Sequence, residues 1–246
     1  HRIISRRCRA LGVDTIVILD THWLVNAGYH VNCAPAFKGI YTSNELPHFI
    51  QNMEYEYNGN PELGRLIAEA ASAAGVPTRS HEIESLALEY GTLVPMRYMN
   101  ADQHFRVVSV AAWCDWHNLE DSRVFGQALA KAIEAGEATV AVFASGSLSH
   151  RFNDNGGPED TMFDISDEFY RQIDHRVVEL WKQGDFKTFC AMLPTYATAC
   201  YGEGGMHDTA MLLGMLGWDQ YDKGVEILTD YFPSSGTGQI NAVFPL

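Results

Sequence analysis

Cationic residues are scarce in this sequence. Its 17 lysines and arginines stand against 31 aspartates and glutamates, which gives a formal net charge of −14 over 246 residues. A protein with this charge repels phosphate backbones and anionic lipid headgroups. We therefore expect neither a nucleic acid nor a membrane surface as its partner, and a negatively charged substrate would need a local cation or a metal.

Cysteine is also sparse, and its arrangement excludes two kinds of site. The five cysteines are an odd number and include no C-x-x-C pair, so we expect neither a disulfide framework nor a thiolate zinc site. This usage is typical of the reducing cytoplasm. The sequence also lacks an apolar run long enough to span a bilayer, and it lacks a signal-peptide core near its first residue.

The sequence does contain an alternation of apolar and helical segments. This pattern predicts an α/β fold with a largely parallel central sheet, helices on both faces and a helix-rich C-terminal half. At 46% hydrophobic and 20% charged residues, the chain can bury one large core. We expect a single domain over residues 1–246. The predicted strands are residues 15–19, 78–82, 106–111 and 139–144, and the predicted helices include residues 61–74 and 122–135.

A histidine follows three of the predicted strands. These are His22 in "DTHW", His117 in "AAWCDWHN" and His150 in "ASGSLSHRF". Open α/β sheets bind ligands beyond the carboxyl ends of their strands, so we expect the three imidazoles near one site. Neutral imidazole is a common metal ligand and an acid or base near pH 7. Each histidine alone could instead cap a helix or bind a backbone carbonyl.

A carboxylate that could complete such a site lies in "CYGEGGMHD". Glu203 stands between Gly202 and Gly204, and glycines let the backbone approach another group closely. Histidines with one carboxylate suit Fe(II), Zn or Mn. The alternative is that Asp208 caps the helix that follows while Glu203 is solvated.

Two other motifs carry less chemistry. The segment "SGSLSH" places serines near a histidine but lacks the G-x-S-x-G pattern, which argues against a serine hydrolase. The segment "SSGTGQ" has no following Lys-Ser/Thr, so an ordinary glycine turn is the better interpretation than a phosphate cradle.

Along its whole length the sequence resembles the class III extradiol ring-cleavage dioxygenases, and within that class the enzymes that act on 3,4-dihydroxyphenylacetate. Six segments carry this resemblance, in the same order. They are "VDTIVILDTHWLVN", "YTSNELPHFI", "LEYGTLVPMRYMN", "ASGSLSHRF", "CYGEGGMHDTAMLLGMLGW" and "SSGTGQINAVFP".

The resemblance implies a non-haem Fe(II) held by two histidines and one glutamate, with open positions for a catechol and O2. It makes His22 an iron ligand and gives the carboxylate to the Glu203 loop, with Asp208 as the alternative. It makes His150 the base toward the catechol and later the acid. It places His117 near the substrate and oxygen.

The same resemblance implies a role in aromatic catabolism, a ring-opened semialdehyde as product and a homo-oligomer. The substrate 3,4-dihydroxyphenylacetate carries a carboxylate, for which Arg97 and Arg151 are the candidate partners because arginine binds carboxylates in a bidentate geometry. Either arginine could instead be an ordinary surface residue.

One expected ligand is absent from the sequence. The family's first iron-binding histidine lies in an "H-x-P-S"-like segment, which we expect ahead of His1. Two alternatives therefore stay open. The chain could be a non-catalytic paralogue or partner subunit with an incomplete metal site, or a zinc hydrolase, since such ligands do not by themselves select the metal.

Overall fold

The computed structural model describes residues 1–47, 49–153 and 159–246. Its α-helices are α1 (Arg2–Ala10), α2 (Pro61–Ala73), α3 (Tyr90–Met99), α4 (Leu119–Ala135), α5 (Glu168–Gln183), α6 (Phe186–Ala199) and α7 (His207–Leu216). Its strands are β1 (Thr15–Asp20), β2 (Tyr29–Asn32), β3 (Ala36–Tyr41), β4 (Met53–Asn58), β5 (Thr78–His81), β6 (Arg106–Ala112), β7 (Val140–Ser145), β8 (Glu226–Ile227), β9 (Phe232–Ser234), β10 (Thr237–Gln239) and β11 (Ala242–Val243). Short 3-10 helices span Glu159–Phe163, Glu203–Met206 and Trp218–Gln220.

The central sheet has five strands in the order β5-β2-β6-β1-β7. Strands β6, β1 and β7 are parallel, with Thr15 beside both Arg106 and Val140. Strand β2 is antiparallel to β6 and parallel to β5. The expected largely parallel sheet is confirmed, and the carboxyl ends of β1, β6 and β7 meet at one edge.

Both faces of the sheet are covered, because every residue of β1 is buried. Val17 and Leu19 pack with α2, α4 and α7 on one face. Ile16 and Ile18 pack on the other face with α1, α3 and the β3–β4 hairpin. A further apolar cluster joins α5, α6 and α7 in the C-terminal half. The expected helical layers are therefore present, and the hairpin is an unpredicted part of one layer.

The apolar segments predict β1, β5, β6 and β7 to within one residue, but β2 of the central sheet was not predicted and some helix boundaries differ. Helix α4 begins before the predicted residue 122, because the Asn118 side chain accepts a hydrogen bond from the amide of Asp121 and caps the helix. The prediction that Asp208 caps a helix is wrong. Met206 occupies the cap of α7, and Asp208 lies buried in its first turn.

The glycine-turn interpretation of "SSGTGQ" is confirmed. Strands β9 and β10 pair as an antiparallel hairpin, and its two turn residues, Ser235 and Gly236, both have positive φ. Two consecutive positive φ values are typical of a tight hairpin turn. In the described part of the chain, no helix combines the length and apolar character that crossing a membrane requires.

Helix α4 offers a direct test of the packing between helix and sheet. Leu129 on α4 is fully buried in the cluster with β1 and β6. We expect Leu129→Ala to lower the free energy of unfolding by about 2–5 kcal/mol, since it leaves a cavity. Lys131→Ala on the exposed face of α4 is the matched control and should change stability little. Equal midpoints for the two variants in urea unfolding would contradict this packing.

Candidate metal and catalytic site

Glu203 lies at the centre of a polar cluster at the carboxyl edge of the sheet. Its Oε1 is 2.5 Å from Nε2 of His22, which follows β1. Its Oε2 is 3.7 Å from Nδ1 of His150, which follows β7. The structure thus brings together two of the three predicted histidines and the predicted glutamate, from three distant parts of the chain.

The backbone around Glu203 makes this approach possible. Gly204 and Gly205 have φ values of 53° and 61°, in the left-handed region. A Cβ atom on Gly204 would lie 2.4 Å from Cγ2 of Thr21, so only glycine fits this close to the end of β1. The amide of Ser147 donates a short hydrogen bond to Oε2 of Glu203. Glu203 is buried, which excludes the solvated alternative.

His22 is oriented by Asp20, the last residue of β1. The amide of His22 donates to Oδ1 of Asp20 at 2.8 Å, and Nδ1 of the ring lies 3.4 Å from the same oxygen. Thr92 of α3 donates to the other oxygen of Asp20 at 2.7 Å. A Cβ atom on Gly91 would lie 2.2 Å from Asp20 Oδ1. Close docking of α3 therefore directs Nε2 of His22 toward Glu203.

The electrostatics of the pair favour ionised forms. Burial alone would lower the pKa of His22, but its hydrogen bonds and charge interactions with Asp20 and Glu203 raise it to about 10. Burial alone would raise the pKa of Glu203, but the hydrogen bond and charge of His22, and the charge of His150, lower it to about 2. Both pKa shifts favour a protonated His22 beside an ionised Glu203.

An imidazole nitrogen and a carboxylate oxygen are ordinary metal donors, and here they converge on one point. Because both are ordinary donors and lie side by side, His22 and Glu203 fit two positions of the expected ligand set. The described residues contain no cluster of three or more histidine, cysteine, aspartate or glutamate side chains placed to hold a metal.

His150 lies beside the pair and has one ring nitrogen engaged. Its Nδ1 is 2.9 Å from Oγ of Ser147, and its ring packs edge-on against Phe152. Its amide donates to the carbonyl of Cys200 at 3.3 Å. The side chain remains 21% exposed. A ligand at this edge could therefore reach its other nitrogen.

His117 lies in the loop that joins β6 to α4. Its Nδ1 is 2.9 Å from Oδ2 of Asp121, and its ring packs 4.9 Å from that of Tyr29. Its Nε2 is buried and, within the described chain, has no hydrogen-bond partner. The structure therefore does not join His117 to Glu203 by a hydrogen bond, but it leaves one buried nitrogen available to a ligand.

Asp208, the alternative carboxylate, is less well placed than Glu203. Burial and the nearby charge of Glu203 raise its pKa to about 7. Its Oδ2 lies 2.6 Å from the position that a Cβ atom of Gly146 would occupy. It forms no ion pair with His22, whose Nε2 faces Glu203. The geometry favours Glu203 as the ligand.

The two arginines occupy different places. Arg151 is exposed, follows His150 directly, and lies over the ring of Tyr201 at 5.3 Å. Arg97 is exposed near the C-terminus of α3. It is about 9 Å along the helix axis from Gly91, which contacts the site. Arg151 thus adjoins His150 in the chain with its guanidinium over Tyr201, while Arg97 lies at the end of α3 away from Gly91.

Three site residues escaped the sequence analysis. Asp20 is the last residue of β1 and had a visible signal, since it is the first polar residue after the apolar run. Ser147 lies in the "SGSLSH" segment that was considered only for hydrolase chemistry. Tyr90 had no signal, because its ring reaches 4.0 Å from His22 only after α3 docks.

Three comparisons with known proteins show what this chain is similar to. A protein-family model described as the catalytic LigB subunit of aromatic ring-opening dioxygenase matches residues 1–245. A curated 3,4-dihydroxyphenylacetate 2,3-dioxygenase of Escherichia coli is 62% identical over 222 residues, which cover 90% of this chain and 80% of that protein. The crystal structure of an uncharacterized protein from Escherichia coli K12 matches with a TM-score of 0.64 and 16% identity, covering 97% of this chain and 91% of that one.

These matches differ in what they support. At 16% identity, the similarity to the solved structure supports the fold alone. The family match spans nearly the whole chain, and the curated relative is 62% identical over 90% of the chain. The expected enzyme class, an extradiol dioxygenase, is confirmed. The chain belongs to the LigB family of catalytic subunits of aromatic ring-opening dioxygenases.

Proposed function

We propose that this protein uses Fe(II) and O2 to cleave 3,4-dihydroxyphenylacetate beside its diol, giving a ring-opened semialdehyde in aromatic catabolism. The observation that carries the proposal is the 2.5 Å approach of His22 Nε2 to Glu203 Oε1, with His150 beside them. The substrate class rests on the relative named 3,4-dihydroxyphenylacetate 2,3-dioxygenase, which is 62% identical.

In this proposal His22 and Glu203 are two of the iron ligands, and the third is the histidine expected ahead of His1. His22 would bind the metal through Nε2 as a neutral imidazole, so it would have to give up the proton that it directs at Glu203 in the metal-free pair. Asp20, on the other side of the ring, orients it as carboxylates commonly orient metal-bound histidines. Fe(II), when bound, would lower the pKa of the catechol hydroxyls and provide positions for substrate and O2.

His150 is the proposed acid and base. Ser147 engages its Nδ1, which leaves Nε2 for the substrate hydroxyl. His150 takes a proton from the catechol at Nε2 and returns it to the ring-opened product. The buried Nε2 of His117, which has no hydrogen-bond partner among the described residues, is proposed to lie near the substrate and oxygen. Because Nδ1 donates to Asp121, Nε2 of the neutral ring can accept a hydrogen bond from a substrate hydroxyl.

Arg151 is the proposed partner of the substrate carboxylate. It is exposed beside His150, and no acidic side chain in the described residues forms an ion pair with it. Its guanidinium is held by Tyr201 and by a 3.4 Å hydrogen bond to Tyr170.

We also propose that the protein is a homo-oligomer in the cytoplasm. Free cysteines and the family resemblance support this part of it.

The metal assignment is tested with two matched carboxylate variants. We expect Glu203→Gln to lower bound iron at least about tenfold, since a neutral amide is a poor ligand for a divalent metal. Asp208→Asn should retain iron. Iron is measured after anaerobic reconstitution of the full-length protein. The reverse outcome would assign the carboxylate to Asp208, and wild-type protein without iron would favour a non-catalytic paralogue.

The acid and base assignment is tested by His150→Gln. We expect kcat to fall about 100-fold or more while bound iron stays at the wild-type level, because proton transfer is lost and the ligands remain. Oxygen consumption and the visible absorbance of the product are the two readouts. Unchanged turnover in His150→Gln would show that another group moves the proton.

The carboxylate partner is tested with Arg151→Met. We expect KM for 3,4-dihydroxyphenylacetate to rise about tenfold, which corresponds to one charge-assisted hydrogen bond. KM for 4-methylcatechol, which lacks the carboxylate, should change little. Arg97→Met is the matched control among exposed arginines. A larger KM change in Arg97→Met than in Arg151→Met would reverse the assignment.

A further inference from the structure

Asp174 on α5 is a fully buried carboxylate. Its Oδ1 accepts hydrogen bonds from Tyr196 Oη at 2.7 Å and from the amide of Ser149 at 3.2 Å. Its Oδ2 accepts from Ser149 Oγ at 2.7 Å and from Tyr231 Oη at 2.8 Å. No cationic side chain in the described residues forms an ion pair with it. Four donors therefore satisfy a buried acidic group that lacks a counter-charge.

Such a group is an expensive way to stabilise a core. Taking a carboxylate out of water is costly, and hydrogen bonds formed in its place return little net stability, because the same groups would be hydrogen-bonded to water in the unfolded chain. A carboxylate does hold its hydrogen-bond donors in a fixed geometry. The donors that Ser149 provides to Asp174 lie close to the proposed active site.

Two of the four donors belong to Ser149, the residue before His150. Ser149 also forms an isolated antiparallel bridge with Gly202, the residue before Glu203. Its carbonyl accepts from the amide of Gly238 at 2.9 Å. Residues 148–150 therefore form a short extended segment between the Glu203 loop and β10, and Asp174 holds its middle residue.

Strand β10 packs closely against Asp174 at Gly238. A Cβ atom on Gly238 would lie 2.0 Å from Asp174 Oδ2 and 2.6 Å from Tyr231 Oη. Glycine thus lets β10 lie directly against the carboxylate. Because Gly238 packs against Asp174 on one side and Ser149 is hydrogen-bonded to it on the other, the position of Asp174 sets the position of Ser149.

We propose that Asp174 is a positioning residue, which fixes His150 and the neighbouring Glu203 loop through Ser149. This inference rests on the proposed function for the role of His150. Asp174 does not touch the substrate site itself. It acts through the segment 148–150, whose carbonyl at Leu148 also accepts a hydrogen bond from the amide of Glu203 at 3.3 Å.

The test uses substitutions that keep the fold. Asp174→Ala would leave four buried donors without an acceptor and disrupt the protein, so Asp174→Asn and Ser149→Ala are used instead. Val177→Ala is the matched control, since Val177 is fully buried on the same helix and contacts the apolar cluster. Thermal unfolding of all three variants establishes that each loses stability.

We expect Asp174→Asn and Ser149→Ala to lower kcat about tenfold with KM within about twofold, because a displaced catalytic group slows the chemical step more than binding. Val177→Ala should keep the wild-type kcat at 25 °C despite its lower melting temperature. If kcat follows melting temperature equally in all three variants, or changes in none, the positioning role is wrong.

A second readout is independent of turnover. In protein with isotope-labelled histidine, the imidazole signal of His150 is identified by its loss in His150→Gln. We expect this signal to shift or broaden in Asp174→Asn and Ser149→Ala and to stay unchanged in Val177→Ala. An unchanged signal in all three overturns the positioning role. A wild-type protein that cleaves no catechol while showing these shifts would overturn only the proposed function.

Discussion

The close approach of the Glu203 loop to the end of β1 is the constraint on which the site depends. Gly204 permits it, since any side chain there would overlap Thr21. Only with this approach can Glu203 meet His22, and only then do the amide of Ser147 and the side chain of His150 face the same carboxylate. The carboxyl edge of the sheet positions His22, and the left-handed conformation of Gly204 and Gly205 brings Glu203 into contact with it.

The site also shows how an acidic protein tolerates buried carboxylates. The carboxylates of Glu203, Asp174 and Asp208 are accommodated in different ways. Glu203 is compensated by histidines and a backbone amide, and Asp174 by four neutral donors. Oδ1 of Asp208 has no hydrogen-bond partner among the described residues, and burial raises the pKa of this carboxyl to about 7, which favours its protonated form relative to an ordinary aspartate. One edge of the sheet therefore holds carboxylates with different protonation states.

Much of this architecture could be predicted from local pattern, because buried strands of a parallel sheet are continuous apolar runs. Strands β1, β6 and β7, and the histidines after them, were visible in this way. Helix α3 was not, since Pro95 lies inside it and proline ordinarily ends a helix. The contribution of Gly91 and Tyr90 depends on how α3 docks, and the role of Asp174 depends on contacts between segments distant in sequence. No periodicity encodes such contacts.

The order of the chain around His22 and Glu203 has a consequence for folding. His22 follows β1 near the start of the sequence, and Glu203 lies between α6 and α7 near its end. The two side chains meet only when the central sheet and the C-terminal helices are both in place. Contacts between residues this far apart in sequence slow folding, because the entropy of closing the intervening chain opposes them. The His22–Glu203 pair therefore needs both ends of the fold, and a chain that lacks either end cannot form it.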